Sequence, residues 1–280
     1  MISTYNAALL SDIAILTLGA LSVYVILATG QLSLGNAGFM AIGAYLTSCL
    51  TVEEGVPITF ALILAAAGCA LIGAIIGFPA LRLRGIYLAI ATLGFGEMVR
   101  SFFLNFGRMG GAGGYRGMHV VDAGYIWAWA GGILLSFLIL ERSRLWLEVR
   151  AVHDDETAAG LIGLNTTAIK VSAFGLGAAI AGVAGGLFAH HHLYIEPGNF
   201  GTERSIEFVL ATILGGSTLA AGSIVGAALL ILLPEWLRFL SDWRLAVFGT
   251  MLILMLLLRP KGLLDRRLFQ WPPFDRRQAA

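Results

Sequence analysis

Residues 57–81, PITFALILAAAGCALIGAIIGFPAL, form an apolar run without a single charge. About 20 helical residues suffice to cross the hydrocarbon core of a bilayer, so this run predicts a membrane-spanning helix. Comparable runs recur at 11–29, 38–52, 57–80, 86–104, 124–140, 168–189, 205–215, 222–240 and 244–258. Helices satisfy their backbone hydrogen bonds internally, which lipid demands. The pattern therefore predicts an all-α, polytopic integral membrane protein with about 8–10 spanning segments, some broken or re-entrant. The run 205–215 is too short to cross alone. It is either half of a broken helix or continues through Gly215-Gly216 into a re-entrant turn.

Polar residues interrupt the apolar pattern at three places. In 30–45, GQLSLGNAGFMAIGAY, Gln31, Ser33 and Asn36 stand between apolar helices, while Gly35 and Gly38 let the backbone leave helical geometry. Non-helical backbone at membrane depth survives only when buried in protein or lining a wet cavity, so these five residues are permeation-path candidates. An ordinary turn between two spans is the alternative. In 91–105, ATLGFGEMVRSFFLN, Glu97 and Arg100 share a helical face and can pair. Glu97 is a path candidate, against the alternative of a purely structural ion pair. In 213–227, ILGGSTLAAGSIVGA, the candidates are Gly215, Gly216 and Ser217.

Composition supports the membrane reading and narrows the function classes. The 280 residues are 58% hydrophobic and 12% charged, where soluble domains carry about 25% charge. A net charge of +1 offers no basic surface for nucleic acid. The 36 glycines point to close helix packing, for which Gly73 with Gly77 and Gly182 with Gly186 have the right spacing. Cys49 and Cys69 lie in apolar segments and match no metal spacing. His190, His191 and His192 are consecutive on a helix and diverge, so a polar helix end is expected there and no metal site.

Charge also orients the chain. Segments 81–85 and 141–170 hold Arg82, Arg84, Arg142, Arg144, Arg150 and Lys170, and six more cations lie beyond residue 258. These are twelve of the eighteen Lys and Arg. By the positive-inside rule this face is cytoplasmic, and nine crossings then place the N-terminus outside. No basic residue precedes the first apolar run in MISTYNAALLSD, so no cleavable signal is expected.

Taken in order, GQLSLGNAGFMAIGAY, ATLGFGEMVR, RMGGAGGYRGM, AGVAGGLFA, EPGNF, ERSIEFVLATILGGSTLAAGSIVGA and RPKGLL resemble the landmarks of the LivM-type permease of bacterial high-affinity branched-chain amino-acid ABC importers. The resemblance runs from about residue 12 to 264. It implies one transmembrane permease domain over 1–264, a cytoplasmic tail over 265–280 and a place in the bacterial inner membrane. It also implies a homologous second permease chain, two cytoplasmic ATPases holding ATP and Mg, and an extracytoplasmic solute-binding protein. The chain has no phosphate-binding GxxxxGK[ST] loop, since its two lysines follow Ile169 and Pro260. It is therefore expected to bind no cofactor and to hydrolyse no nucleotide itself.

Within 141–170, VHDDETAAGLIGLN resembles the coupling-helix motif Glu-Ala-Ala-x-x-x-Gly of ABC permeases. Ala158, Ala159 and Gly163 match, while Thr157 replaces the motif's Glu and Glu156 sits one position early. Asp155 and Glu156 favour a helix start through the helix dipole, so these five residues are ATPase-coupling candidates. Glu196 and Glu203 are expected on the outer face. Two rival readings are a permease for urea or short amides, and an autonomous ion-coupled carrier using Glu97 and Glu207. An intramembrane enzyme is disfavoured, because no nucleophile–base or metal constellation is present.

Overall fold

The computed structural model describes residues 4–83 and 85–237, with 247, 249–251, 253, 257 and 262–264. The expected span 244–258 falls mostly outside the described residues, and the tail 265–280 falls wholly outside them. Ten α-helices lie within 4–237: α1 (Thr4–Leu27), α2 (Asn36–Val52), α3 (Ile58–Ala80), α4 (Ile86–Asn105), α5 (Ala123–Leu140), α6 (Arg144–Asp154), α7 (Glu156–Leu161), α8 (Thr166–His192), α9 (Thr202–Gly215) and α10 (Gly222–Trp236). Among the described residues α1, α3, α4, α5 and α8 are long and apolar enough to span a membrane, and α2 and α10 are shorter apolar helices. The protein is an all-α polytopic membrane protein.

Helix α8 is the hub, packing against α1, α2 and α3. Lipid competes for apolar surface as well as a neighbouring helix does, so such contacts need close backbone approach rather than hydrophobic drive. Small residues supply it here. A Cβ on Gly185 would overlap the Met40 carbonyl, and one on Gly43 would overlap Gly182. Gly73 faces Ala178, Gly77 faces Phe174, and Gly186 meets Thr47 and Leu62, so both glycine pairs noted in the sequence lie at helix contacts. Around this seam Tyr45 stacks on Phe103 at 4.1 Å and Phe39 meets Phe95 at 4.8 Å. The outer rows of α3 and α5 expose Ile63, Leu71, Ile75, Leu135 and Ile139, which suits contact with lipid.

Helices α1 and α8 run past one or both ends of the apolar runs that announced them. α1 begins at Thr4 and carries Asp12, which is partnered within the protein by His192 at 3.1 Å. α8 reaches His192, and Leu193 ends it in a left-handed conformation. Two faces result. Segments 81–83 and 141–165 share one, the basic face. The other carries 53–57, 106–122 and 193–201, where β1 (Tyr115–Arg116) pairs antiparallel with β2 (Tyr194–Ile195). Tyr115 also donates to Glu53, and burial, helped by the Glu53 charge, pushes its phenol up to about 12.

The α8 seam generates a contrast. Gly185→Leu is expected to abolish the folded fraction in detergent, because overpacking a tight contact costs about 1–3 kcal/mol or more. Gly132→Ala, whose added Cβ meets nothing within 4 Å, is expected to retain it. Fluorescence-detected size exclusion after heating compares the two.

Candidate functional site

Two helices start inside the bundle instead of at its surface. After α1 ends at Leu27, the chain turns at Gly30 beside His153 on the basic face and climbs back without helical bonds. Asn36 then donates through Nδ2 to Ser22 at 2.8 Å, and the Leu34 N–H donates to Thr92 Oγ1 at 2.9 Å. Ser22 lies five residues before the end of α1, so α2 starts about 8 Å inside that end at 1.5 Å per residue. The second case descends from the opposite face through a 3-10 turn at Pro197–Phe200. Thr202 opens α9 beside Glu97, which stands eight residues before the end of α4. The two starts meet where the Ala37 N–H donates to Ser205 Oγ at 3.3 Å.

Each of the first-motif residues has a place in this junction. Gln31 and Ser33 are buried; Gln31 accepts from Thr29, and Ser33 Oγ accepts the Gly35 N–H at 3.2 Å. A Cβ on Gly35 would stand 2.8 Å from the Thr92 carbonyl and one on Gly38 would stand 3.0 Å from Gly96. The glycines of 30–38 thus let α2 lie directly on the ATLGFGE segment of α4. Asn36 is fully buried, and its Oδ1 finds no donor among the described residues.

Glu97 is the anchor of the α9 start. It accepts from Arg100 at 2.9 Å, from the Thr202 hydroxyl at 2.7 Å and from the Thr202 N–H at 3.2 Å. The carboxylate therefore caps a helix from another element, satisfying an N–H that the helix itself leaves open. Its ion pair with Arg100 remains 37% and 42% exposed on the two side chains. An ionised group near mid-bilayer costs about 3 kcal/mol against lipid, so this face meets water or protein. Arg204 and Glu207, one turn further along α9, form a second pair at 2.8 Å.

Gly215, Gly216 and Ser217 lie elsewhere. Gly216, at φ +121°, and Gly215 turn α9 toward α10 on the basic face. Leu263 and Leu264 donate to the Leu214 and Gly215 carbonyls at 3.0 and 2.9 Å, so the RPKGLL and ILGGS motifs meet there. Ser217 lines a cavity of about 330 Å³ with Tyr24, Trp146, Arg150, His153 and Asp154. Glu141, missed in the sequence, ties this region together. It is buried and accepts from the Tyr24 hydroxyl and, at 2.7 Å, from the Ala220 N–H. Trp146 of α6 stacks on Tyr24 at 5.8 Å.

The coupling candidates cluster on α7 of the basic face. Asp155 caps the helix, accepting from the Thr157 and Ala158 N–H groups at 2.8 and 3.0 Å, and Glu156 pairs with Lys170 at 2.7 Å. Ala159 is buried, whereas Gly163 is exposed at φ +92° with open space around it. Leu161 and Ile162 are 86% and 75% exposed. The sequence reading singled out neither residue; the fold reveals them as a free edge.

His190 parts from its neighbours, but His191 and His192 do not diverge: with Asp12 their ligand atoms lie within 4.8 Å of one another. His190 is buried, with Thr51 at 3.0 Å and the Gly186 carbonyl at 2.9 Å, while His191 and His192 turn to Asp12. Glu196 accepts from Tyr194, and Glu203 borders the Glu97–Arg100 cleft.

An all-α bundle in which two helices begin at depth beside half-exposed charges defines a multi-pass membrane permease. Residues 5–256 match the family model described as the branched-chain amino acid transport system / permease component, and the chain belongs to that family. The high-affinity branched-chain amino acid permease protein LivM of Salmonella typhimurium is 33% identical over 90% of this chain and 69% of its own length, and LivM of Escherichia coli K12 has the same identity and coverage. LivH of Escherichia coli K12 is 32% identical over 48% of this chain and 44% of its own length. No solved structure matches the chain significantly.

The Glu97 cap generates a graded expectation. Glu97→Ala removes three hydrogen bonds and Arg100→Ala one, so the first is expected to reduce assembled protein more. In a double-mutant cycle on thermal stability the pair should couple by about 0.5 kcal/mol or more. Strict additivity would show that the two charges do not act on one another.

Proposed function

We propose that this chain is the permease subunit of an ATP-driven importer that moves branched-chain or other hydrophobic amino acids inward across a bacterial plasma membrane. The observation that carries the path is the meeting of the α2 and α9 starts beside half-exposed charges at depth. The α2 N-terminus there, which its N-cap Gly35 leaves without a side-chain cap, favours a substrate carboxylate, and family membership supports the substrate class. Movement arises by alternating access between this chain and a homologous second permease, and an extracytoplasmic solute-binding protein delivers the amino acid.

The basic face is cytoplasmic in this reading, with 141–170 as the coupling loop of a permease domain spanning 1–264. Two partner ATPases hold ATP and Mg. The exposed Leu161 and Ile162 edge, beside Gly163, supplies the apolar surface that enters their cleft. Motion of α6 reaches the α9–α10 turn through Trp146, Tyr24 and Glu141. The urea and ion-coupled readings gain no support from the relatives found.

Reconstitution with the partner chains tests the proposal. Leucine uptake should require ATP, and Gly163→Trp should remove substrate-stimulated hydrolysis while leaving the spans inserted. Uptake by this chain alone, driven by an ion gradient, would replace the importer reading with a carrier. In a Cys49→Ser, Cys69→Ser background, Ser33→Cys and Asn36→Cys should change their reactivity to an aqueous thiol reagent when ATP is added. Both positions are buried in the described conformation, so silence in both states would mark 30–38 as a static packing turn.

A further inference from the structure

Consecutive residues on a helix point about 100° apart, which keeps His190, His191 and His192 from all reaching one ion. The fold removes that objection for two of them by bringing a third ligand from another helix. Asp12 of α1 meets both rings at the end of α8: its Oδ1 lies 3.1 Å from His192 Nε2 and 3.8 Å from His191 Nε2. The three ligand atoms all lie within 4.8 Å of one another. The two imidazole planes cross at 73° with centroids 5.0 Å apart, so the rings approach one carboxylate without stacking on each other. His191 is held further by a hydrogen bond to the backbone of Ala8, one turn before Asp12.

We propose that Asp12, His191 and His192 form a binding site for a divalent transition-metal ion of the zinc class, which ties the first half of α1 to the end of α8. Imidazole and carboxylate are ligands that zinc takes in proteins, at about 2.0–2.2 Å. Tetrahedral ligands at that distance stand about 3.4 Å apart, and the two separations from Asp12 bracket this value. The remaining gap, between the two imidazole nitrogens, closes by rotation of the His192 ring, whose side chain is 40% exposed. Access is open as well. Asp12 and His192 line a hollow of about 490 Å³ with Tyr194, Asn199, Arg204 and Glu207, which leaves a fourth position to water. Arg204 is neutralised there by Glu207 at 2.8 Å, so the Asp12 carboxylate is left to balance the ion. Two nitrogen ligands select against magnesium and calcium, which prefer oxygen, and the Ala8 contact fixes the His191 ring as an outer partner of a metal ligand does. A bound ion replaces the Asp12–His192 hydrogen bond with coordinate bonds to two helices, and so clamps the hub helix on the face opposite the coupling loop.

Titration calorimetry on the full-length protein in detergent tests the site, after metal is stripped with EDTA and any polyhistidine tag is removed. Zinc should bind at one equivalent per chain, and magnesium should not compete. Asp12→Asn, His191→Gln and His192→Gln should each weaken zinc binding at least about tenfold, whereas His119→Gln, at an exposed histidine on the same face, should not. Asp12→His supplies a nitrogen ligand from the same position and should bind zinc again, which a purely structural Asp12–His192 hydrogen bond does not predict. At free zinc of about 100 times Kd, the ratio of folded to unfolded wild-type protein should rise about 100-fold, against about tenfold or less in His192→Gln. If the ligand variants do not assemble, the wild-type protein decides the matter through its copper complex, whose electron-spin resonance should show coupling to two imidazole nitrogens. Absence of stoichiometric zinc binding, unchanged zinc affinity in folded Asp12→Asn and His192→Gln, or copper coupled to fewer than two nitrogens would overturn the site.

Discussion

A helix that begins inside a bilayer carries open N–H groups to a depth where bulk water does not reach, and each must find an acceptor in the protein. Two helices here face that constraint, and side chains from distant elements answer it. Ser205 accepts from the second residue of α2, Thr92 accepts from the strand of chain leading into it, and Glu97 accepts from the first residue of α9. The close approach of α2 to α4 through Gly35 and Gly38 brings these acceptors into range. The junction is therefore a polar part of the membrane interior that also depends on small residues.

That dependence explains which features were legible in the sequence. Spans of apolar residues and the Glu97–Arg100 spacing are local signals, and both appear in the fold. Glycine pairs at four-residue spacing marked the α8 seam correctly because lipid leaves close packing as the main driver. Helix ends were less legible. α1 and α8 extend past their apolar cores, and there Asp12 and His192 meet across 180 residues.

Long-range ties were invisible for the same reason. Nothing near Glu141 signals that its carboxylate meets Tyr24 and Ala220, and nothing near Ser217 signals that it sits by α6 and away from the α2–α9 junction. Leu161 and Ile162 continue an ordinary helical apolar pattern, so their exposure follows from the turn at Gly163 and from the absence of a covering element among the described residues. The two charged pairs at Glu97–Arg100 and Arg204–Glu207 occupy adjacent walls of one cleft, although over a hundred residues separate them in the chain.

The pairing of Leu263 and Leu264 with the end of α9 has a consequence for biosynthesis. The Leu214 and Gly215 carbonyls receive these partners from a stretch made almost fifty residues later. During synthesis, α9 and α10 leave the ribosome before their own turn has its final hydrogen bonds. The α9–α10 turn therefore completes its backbone hydrogen bonds only once residues 263 and 264 have been made. A chain lacking these residues leaves two backbone acceptors, the Leu214 and Gly215 carbonyls, without these partners at the end of α9.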